Sequence, residues 1–221
     1  MTSEPAADLR QMTALGRAIE DDSFAIIDRE VGPHDHDRYA WEVVRRIIHA
    51  TADFEFKWTT RFGNDATSRG AAAIRRGAPI VADVKMIVVG LNAARLASFG
   101  CSTHTFIDDP QVIADARAGG TTRAVEAMRR AHREGLVHGG VLAIGNAPTA
   151  LLEIVRLHRE EGVTPALVLG MPVGFVNAVE SKEALLQTDI PYVITRGRKG
   201  GSTITVAALH AFLHLAAGDL R

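Results

Sequence analysis

Apolar residues in this chain follow two periods. Short runs at residues 79–82, 141–144, 166–169 and 192–195 are apolar almost throughout, and residues 102–107 alternate. Runs of this length bounded by turn residues read as strands buried in a sheet. Between them and after the last, apolar positions recur three and four apart over 83–89, 109–118, 122–134, 148–161, 176–187 and 202–216. That spacing gives a helix one buried face. Alternating strands and helices predict a mostly parallel five-stranded sheet with helices on both faces, a single three-layer α/β domain. Before the first strand the pattern is helical over 9–28, with a break near Asp21-Asp22-Ser23, then over 41–52 and 65–76. Residues 1–8 read as loose, 31–39 as a polar connection, and the stretch between 52 and 65 as polar and dotted with aromatics. Strand order is not legible at this level.

Right-handed crossovers place every loop that follows a parallel strand on one edge of the sheet. Ligands of open α/β sheets bind on that edge. Three unusual turns fall there: Gly145-Asn146-Ala147-Pro148-Thr149, Gly170-Met171-Pro172-Val173-Gly174-Phe175 and Arg196-Gly197-Arg198-Lys199-Gly200-Gly201-Ser202. In the last, Gly200 and Gly201 let the backbone approach a ligand, and Ser202 is placed to cap the final helix. Arg196, Arg198 and Lys199 add fixed positive charge. The loop suits carboxylates or phosphates, and equally reads as a solvated basic turn. It lacks the spacing of a P-loop. In the first turn Asn146 can hydrogen-bond locally or to a ligand, Pro148 suits a first helical turn and Thr149 faces the strand end, and the turn equally reads as ordinary strand-to-helix punctuation. The middle turn is apolar and reads as a wall or as tight helix–sheet packing.

Charge changes the picture by what it excludes. The 221 residues carry 25 basic and 26 acidic side chains, a net charge of -1. No global field favours nucleic acid, so anion binding has to be local. One cysteine, Cys101, excludes an internal disulfide and a multi-cysteine metal site, and fits a reducing cytoplasm. Neither a signal peptide nor an apolar run near the about 18 residues of a membrane span is evident.

Among titratable groups, His49 falls opposite the Val43, Val44, Ile47 and Ile48 stripe of its helix, beside Glu42, Arg45 and Arg46. It reads either as a general acid or base or as a solvated surface histidine. Thr121 or Thr122 starts the helix that follows, which puts Arg123 in a first turn where a cation is misplaced unless an anion is near. Ser23 has no local signal beyond a helix cap. Lys182, in Glu180-Ser181-Lys182, reads as solvent-facing. His34-Asp35-His36 has divergent side chains and no partner cluster, so no protein-bound metal is expected there. Cys101 reads as structural.

These motifs taken in order resemble the precorrin-8X methylmutase family of corrin biosynthesis. The resemblance is carried by the three turns above, by Glu180-Ser181-Lys182, and by Thr122-Arg123, Gly77-Ala78-Pro79-Ile80, Ile48-His49-Ala50 and Ser23-Phe24. It implies a cytoplasmic, homodimeric isomerase that moves a methyl group from C11 to C12 of an anionic tetrapyrrole without an added cofactor. It also implies that His49 is catalytic and that Ser23 and Arg123 lie at the substrate. With the turn reading above, the expected binding set is Ser23, Arg123, Asn146, Thr149, Arg196, Arg198, Lys199, Gly200, Gly201 and Ser202. The wording around 48–54, Gly100-Cys101, 183–187 and 198–202 is similar to the form acting on cobalt-precorrin-8, whose cobalt enters with the substrate. The metal-free substrate, or a non-catalytic corrinoid carrier, are the alternatives.

Overall fold

The computed structural model describes residues 13–219, so the reading of residues 1–8 lies outside the described residues. One sheet runs in the order β1 (Thr60–Gly63), β6 (Tyr192–Thr195), β5 (Leu167–Gly170), β4 (Val141–Ile144), β2 (Ile80–Ala82), β3 (Thr103–His104). All neighbours are parallel except β1, which runs antiparallel along β6 with Thr60 opposite Thr195. The expected five strands are thus six. β1 escapes the sequence pattern because Thr60-Arg61-Phe62-Gly63 buries only Thr60. It is a strand because β6 offers it an edge, and Gly63 leaves room for the Tyr192 ring, which a Cβ would meet at 2.3 Å. β3 is shorter than expected, since the chain leaves β2 after His104.

Helices cover both faces. On one lie α1 (Ala14–Val31), α2 (Arg38–Thr51), α4 (Ala66–Arg75) and α11 (Ser202–Ala217), and a single turn, α3 (Phe56–Thr59), stands between α2 and β1. Val43, Val44, Ile47 and Ile48 of α2 pack there with Ile74, Leu209 and Phe212. The other face carries α7 (Pro110–Ala118), α8 (Arg123–Arg133), α9 (Pro148–Glu161) and α10 (Ala178–Leu186), over Leu142, Ile144, Leu151, Ile154 and Val168. The predicted helix over 83–89 becomes α5 (Lys85–Gly90), and a second helix, α6 (Ala93–Ser98), follows with Asn92 as its cap. α1 is unbroken at Asp21-Asp22-Ser23. Phe24, Ile27 and Val31 bury one face of α1 and carry the helix through its acidic pair. Among the described residues no helix is long and apolar enough to cross a membrane.

Candidate functional site

The three turns meet as their position after parallel strands requires. Met171 N donates to Ile144 O (2.8 Å), Gly201 N to Met171 O (2.8 Å) and Gly174 N to Arg198 O (3.2 Å). The turn after β4 is organised by Asp83, which the sequence reading did not single out. Its carboxylate is buried and accepts from Gly145 N (3.1 Å), Asn146 N (2.8 Å) and Ala147 N (2.6 Å). Burial pushes this carboxyl up, against the pull of those three N–H groups. The available signal was an acid directly after a strand in an otherwise apolar run. Gly145 is needed for contact with α11, since a Cβ would lie 2.8 Å from Thr205 Oγ1 and 3.0 Å from Ser202 N. Asn146 is thereby held exposed on the surface.

On the far side of this turn the Thr149 and Thr122 hydroxyls bond at 2.9 Å. Thr122 also caps α8 by accepting from Val125 N (3.2 Å), and Arg123 follows, exposed, as the first helical residue. The expected start of this helix is therefore the observed one.

The loop after β6 is organised by Lys182, and here the sequence reading is corrected. Lys182 is fully buried, not solvent-facing. Its Nζ donates to Gly197 O (2.9 Å), Lys199 O (2.8 Å) and Thr195 Oγ1 (3.4 Å), and burial pushes the ammonium down to about 8. The helical wheel carried a signal, because Lys182 shares the inward face with Ala178, Ser181 and Leu185.

Three further expectations for this loop change. Lys199 is not a free cation: it binds Asp53 Oδ2 (2.6 Å) and Glu55 Oε2 (2.7 Å), tying the loop to the segment after α2. Those carboxylates hold the Lys199 ammonium above its ordinary value. Gly200 serves packing, since a Cβ would fall 2.3 Å from Met171 O, whereas Gly201, at φ 128°, faces open space. Ser202 is the first residue of α11 and not its cap; Gly201 holds that position, and among the described residues no side-chain cap bond covers the first-turn amides. Such amides are a ready anion site when the surrounding charge is positive. Arg196 stays exposed with Glu183 at 3.7 Å, and the Arg198 guanidinium lies 5.4 Å over the exposed Phe175 ring. The apolar turn splits: Met171 is buried, while Val173, Phe175 and Val176 are exposed.

His49 sits in the last turn of α2 and is exposed, as its wheel position predicts. Its neighbours differ from the expectation. Glu42 and Arg45 are buried, with Arg45 bonded to Glu42 (2.5 Å) and Asp28 (3.0 Å). The His49 ring lies 5.0 Å from Phe24. With Arg46, Ala50, Thr203, Val206, Ala207 and His210 it lines a cavity of about 220 Å³. Thr203 and Val206 belong to the first turns of α11, so His49 flanks the same helix start as the basic loop. His210 went unnoticed in the sequence. Burial, helped by Arg95 and Arg46, pushes it down to about 4, so it faces this cavity as a neutral imidazole. Its Nε2 has no hydrogen-bond partner among the described residues. Ser23 neighbours Phe24 but gives its hydroxyl to Ile19 O (2.7 Å), inside α1 and not at its cap.

The remaining candidates have structural tasks. His34 stacks on Trp41 at 4.0 Å and His36 bonds Lys57 O at 2.8 Å. Among the described residues no group of three or more His, Cys, Asp or Glu is placed to hold a metal. Burial raises the Cys101 thiol, whose Sγ lies 3.4 Å from Ile74 O.

Comparison with known proteins decides the family. The model of precorrin-8X methylmutases matches residues 18–215. The chain belongs to the precorrin-8X methylmutase family. It is an isomerase of cobalamin biosynthesis, acting on a corrinoid by methyl migration. A cobalt-precorrin-8 methylmutase of Leptospira interrogans is 54% identical, over 94% of this chain and 97% of its own. One from Priestia megaterium is 46% identical over 95% and 92%. The crystal structure of a precorrin-8x methyl mutase from Thermus thermophilus superposes with a TM-score of 0.87 at 52% identity, over 93% of this chain and 99% of that one. His49, the first-turn amides of α11 and the exposed Arg196 and Arg198 lie around one helix start.

Proposed function

We propose that this methylmutase converts cobalt-precorrin-8 to cobyrinic acid, with His49 as the acid, no added cofactor and cobalt arriving only with the substrate. The observation that carries the reading is His49, exposed in a small cavity at the start of α11. A cavity of about 220 Å³ holds the edge of a large ligand, not a whole tetrapyrrole. The macrocycle then lies across the strand-end edge, over Gly201. Its carboxylates reach Arg123 on one flank and Arg196, Arg198 and the α11 amides on the other. Asn146 and Thr149 line the path between, and Phe175 offers an apolar face.

The reaction is an intramolecular shift. The methyl group leaves C11 and bonds C12, and the ring's double bonds rearrange, so no atom is lost. His49, as the acid, hydrogen-bonds or protonates the ring where negative charge develops, and recovers the proton when the shift is complete. One such partner contributes about 10²–10⁴-fold. The rest comes from holding the macrocycle in a reactive conformer.

The cobalt-bearing substrate is favoured because the relatives at 54% and 46% identity carry that name. A cytoplasmic homodimer is part of the same reading. Leu15, Ile19 and Ile26 are exposed on one stripe of α1, opposite its buried face, where a second copy would cover them.

The test is anaerobic incubation with cobalt-precorrin-8 and, separately, metal-free precorrin-8X, followed by absorption, with His49→Ala beside the wild type. The expected result is conversion of the cobalt substrate and a loss of about 10²–10⁴-fold in kcat in the variant. Undiminished turnover by His49→Ala removes the acid assignment. Conversion of the metal-free substrate alone reverses the branch.

A further inference from the structure

The hairpin of α7 and α8 separates its arginines into two kinds. Arg129 is bound by Glu126 and Glu153, Arg130 by Glu134, and Arg133 by Asp115. The Arg117 and Arg123 guanidinium groups have no ion pair or hydrogen bond among the described residues. Both face one hollow of about 350 Å³ at the tip of the hairpin, floored by Ile113 and Ala116 and edged by Thr121. Arg123 acts weakly on the Asp108 carboxylate, and Lys85 already binds that group.

Two unpaired like charges around one hollow repel each other until an anion enters. Arg123 is doubly misplaced, because it also sits at the positive end of α8. Guanidinium forks suit a planar carboxylate. The Ile113–Ala116 floor suits the methylene groups of a side chain that carries one. Through Thr122 and Thr149 the tip is bonded to the turn after β4, so the hollow borders the strand-end surface.

We propose that Arg117 and Arg123 together clamp one peripheral alkyl carboxylate of the substrate, making Arg117 a specificity-determining residue of this site. The proposal rests on the corrinoid reading above. Arg117 is exposed near the end of α7, so replacing it leaves the core intact.

The experiment titrates the whole protein with cobyrinic acid and with its per-methyl ester, at low and high salt, for wild type, Arg117→Ala, Arg117→Lys and Arg123→Ala. Arg117→Ala is expected to weaken the free acid about tenfold, the loss of roughly one charge-assisted hydrogen-bonded contact. It flattens the salt dependence, leaves the ester unchanged, and raises KM with kcat unaltered. Arg117→Lys restores the salt dependence but only part of the affinity, because lysine lacks the fork. Wild-type affinity and salt dependence in Arg117→Ala, with Arg123→Ala still impaired, overturns the clamp and leaves the corrinoid reading standing. Equal losses for acid and ester overturn it too. Failure of the wild type to bind either ligand removes the corrinoid reading and the clamp with it.

Discussion

The turn after β4 and the loop after β6 close neighbouring regions of the same edge, and opposite charges hold them. Asp83 gathers three backbone N–H groups of the first. Lys182 gathers two carbonyls and a hydroxyl of the second. Each anchor is a single buried ionisable group reached from another element, so each turn is fixed from beneath while its upper surface stays free. The difference lies in what is left for a ligand. With its carbonyls drawn down to an ammonium, the loop after β6 leaves Arg196 and Arg198 outside, beside the α11 amides. With its amides drawn down to a carboxylate, the turn after β4 presents the neutral Asn146 side chain. The edge is therefore cationic where Lys182 works and uncharged where Asp83 works.

The comparison breaks first at Asp83. Asp83→Ala leaves three N–H groups without an acceptor, and the expected loss is about 3–4 kcal/mol of stability, measured by urea denaturation. Activity falls as well, since Asn146 and Thr149 lose their support. A variant as stable as wild type would mean that the carboxylate does not organise the turn.

Lys182→Met is expected to cost less, about 2–3 kcal/mol near neutral pH, because it also relieves the burial of a cation. Its pH signature is sharper. The folded ammonium releases its proton near pH 8, whereas the unfolded chain keeps it to about 10.5. Between those values the unfolded state binds more protons, so wild-type stability rises with pH relative to the variant. Below pH 8 both states are protonated and that rise is absent. Urea midpoints of the two proteins from pH 7 to 10 check it; parallel curves would show that Lys182 is not held as described.

The smallest effects separate two adjacent glycines. Gly200→Ala drives a Cβ into the Met171 carbonyl and forces the two turns apart, at a cost of about 2 kcal/mol. Gly201→Ala meets no atom within 4 Å and carries only backbone strain, about 1 kcal/mol. The order reverses in ligand binding, where Gly201 borders the open surface. Thermal unfolding and corrin titration of both variants measure the two orders.

What was legible followed from local spacing. The turns showed as glycines after apolar runs, and the wheel of α2 put His49 on the polar face where it is found. What was illegible depended on partners distant in the chain. Asp83 meets Gly145 and its neighbours across 62 positions or more. Lys199 meets Asp53 across 146. Arg45, placed beside His49 on the wheel and away from the apolar stripe, is buried because Asp28 of α1 and Glu42 neutralise it. A charged side chain next to an apolar stripe goes in only if another element brings its counter-charge, and no window of sequence reports that.

Spacing and motif order along the chain were enough for the strand–helix alternation, the parallel sheet, the edge on which the turns gather, and the family. Those depend on periodicity, on the hand of the crossover and on motifs read in order, all local or ordinal properties. The tertiary structure decided the sixth strand, which exists only against an open edge of β6. It decided that Lys182 and Asp83 are anchors, that Lys199 is spent on carboxylates, and that Arg117 and Arg123 have no ion pair among the described residues. Burial and pairing of charge are set by which elements meet, and a long-range meeting leaves no trace in the spacing of residues along one element.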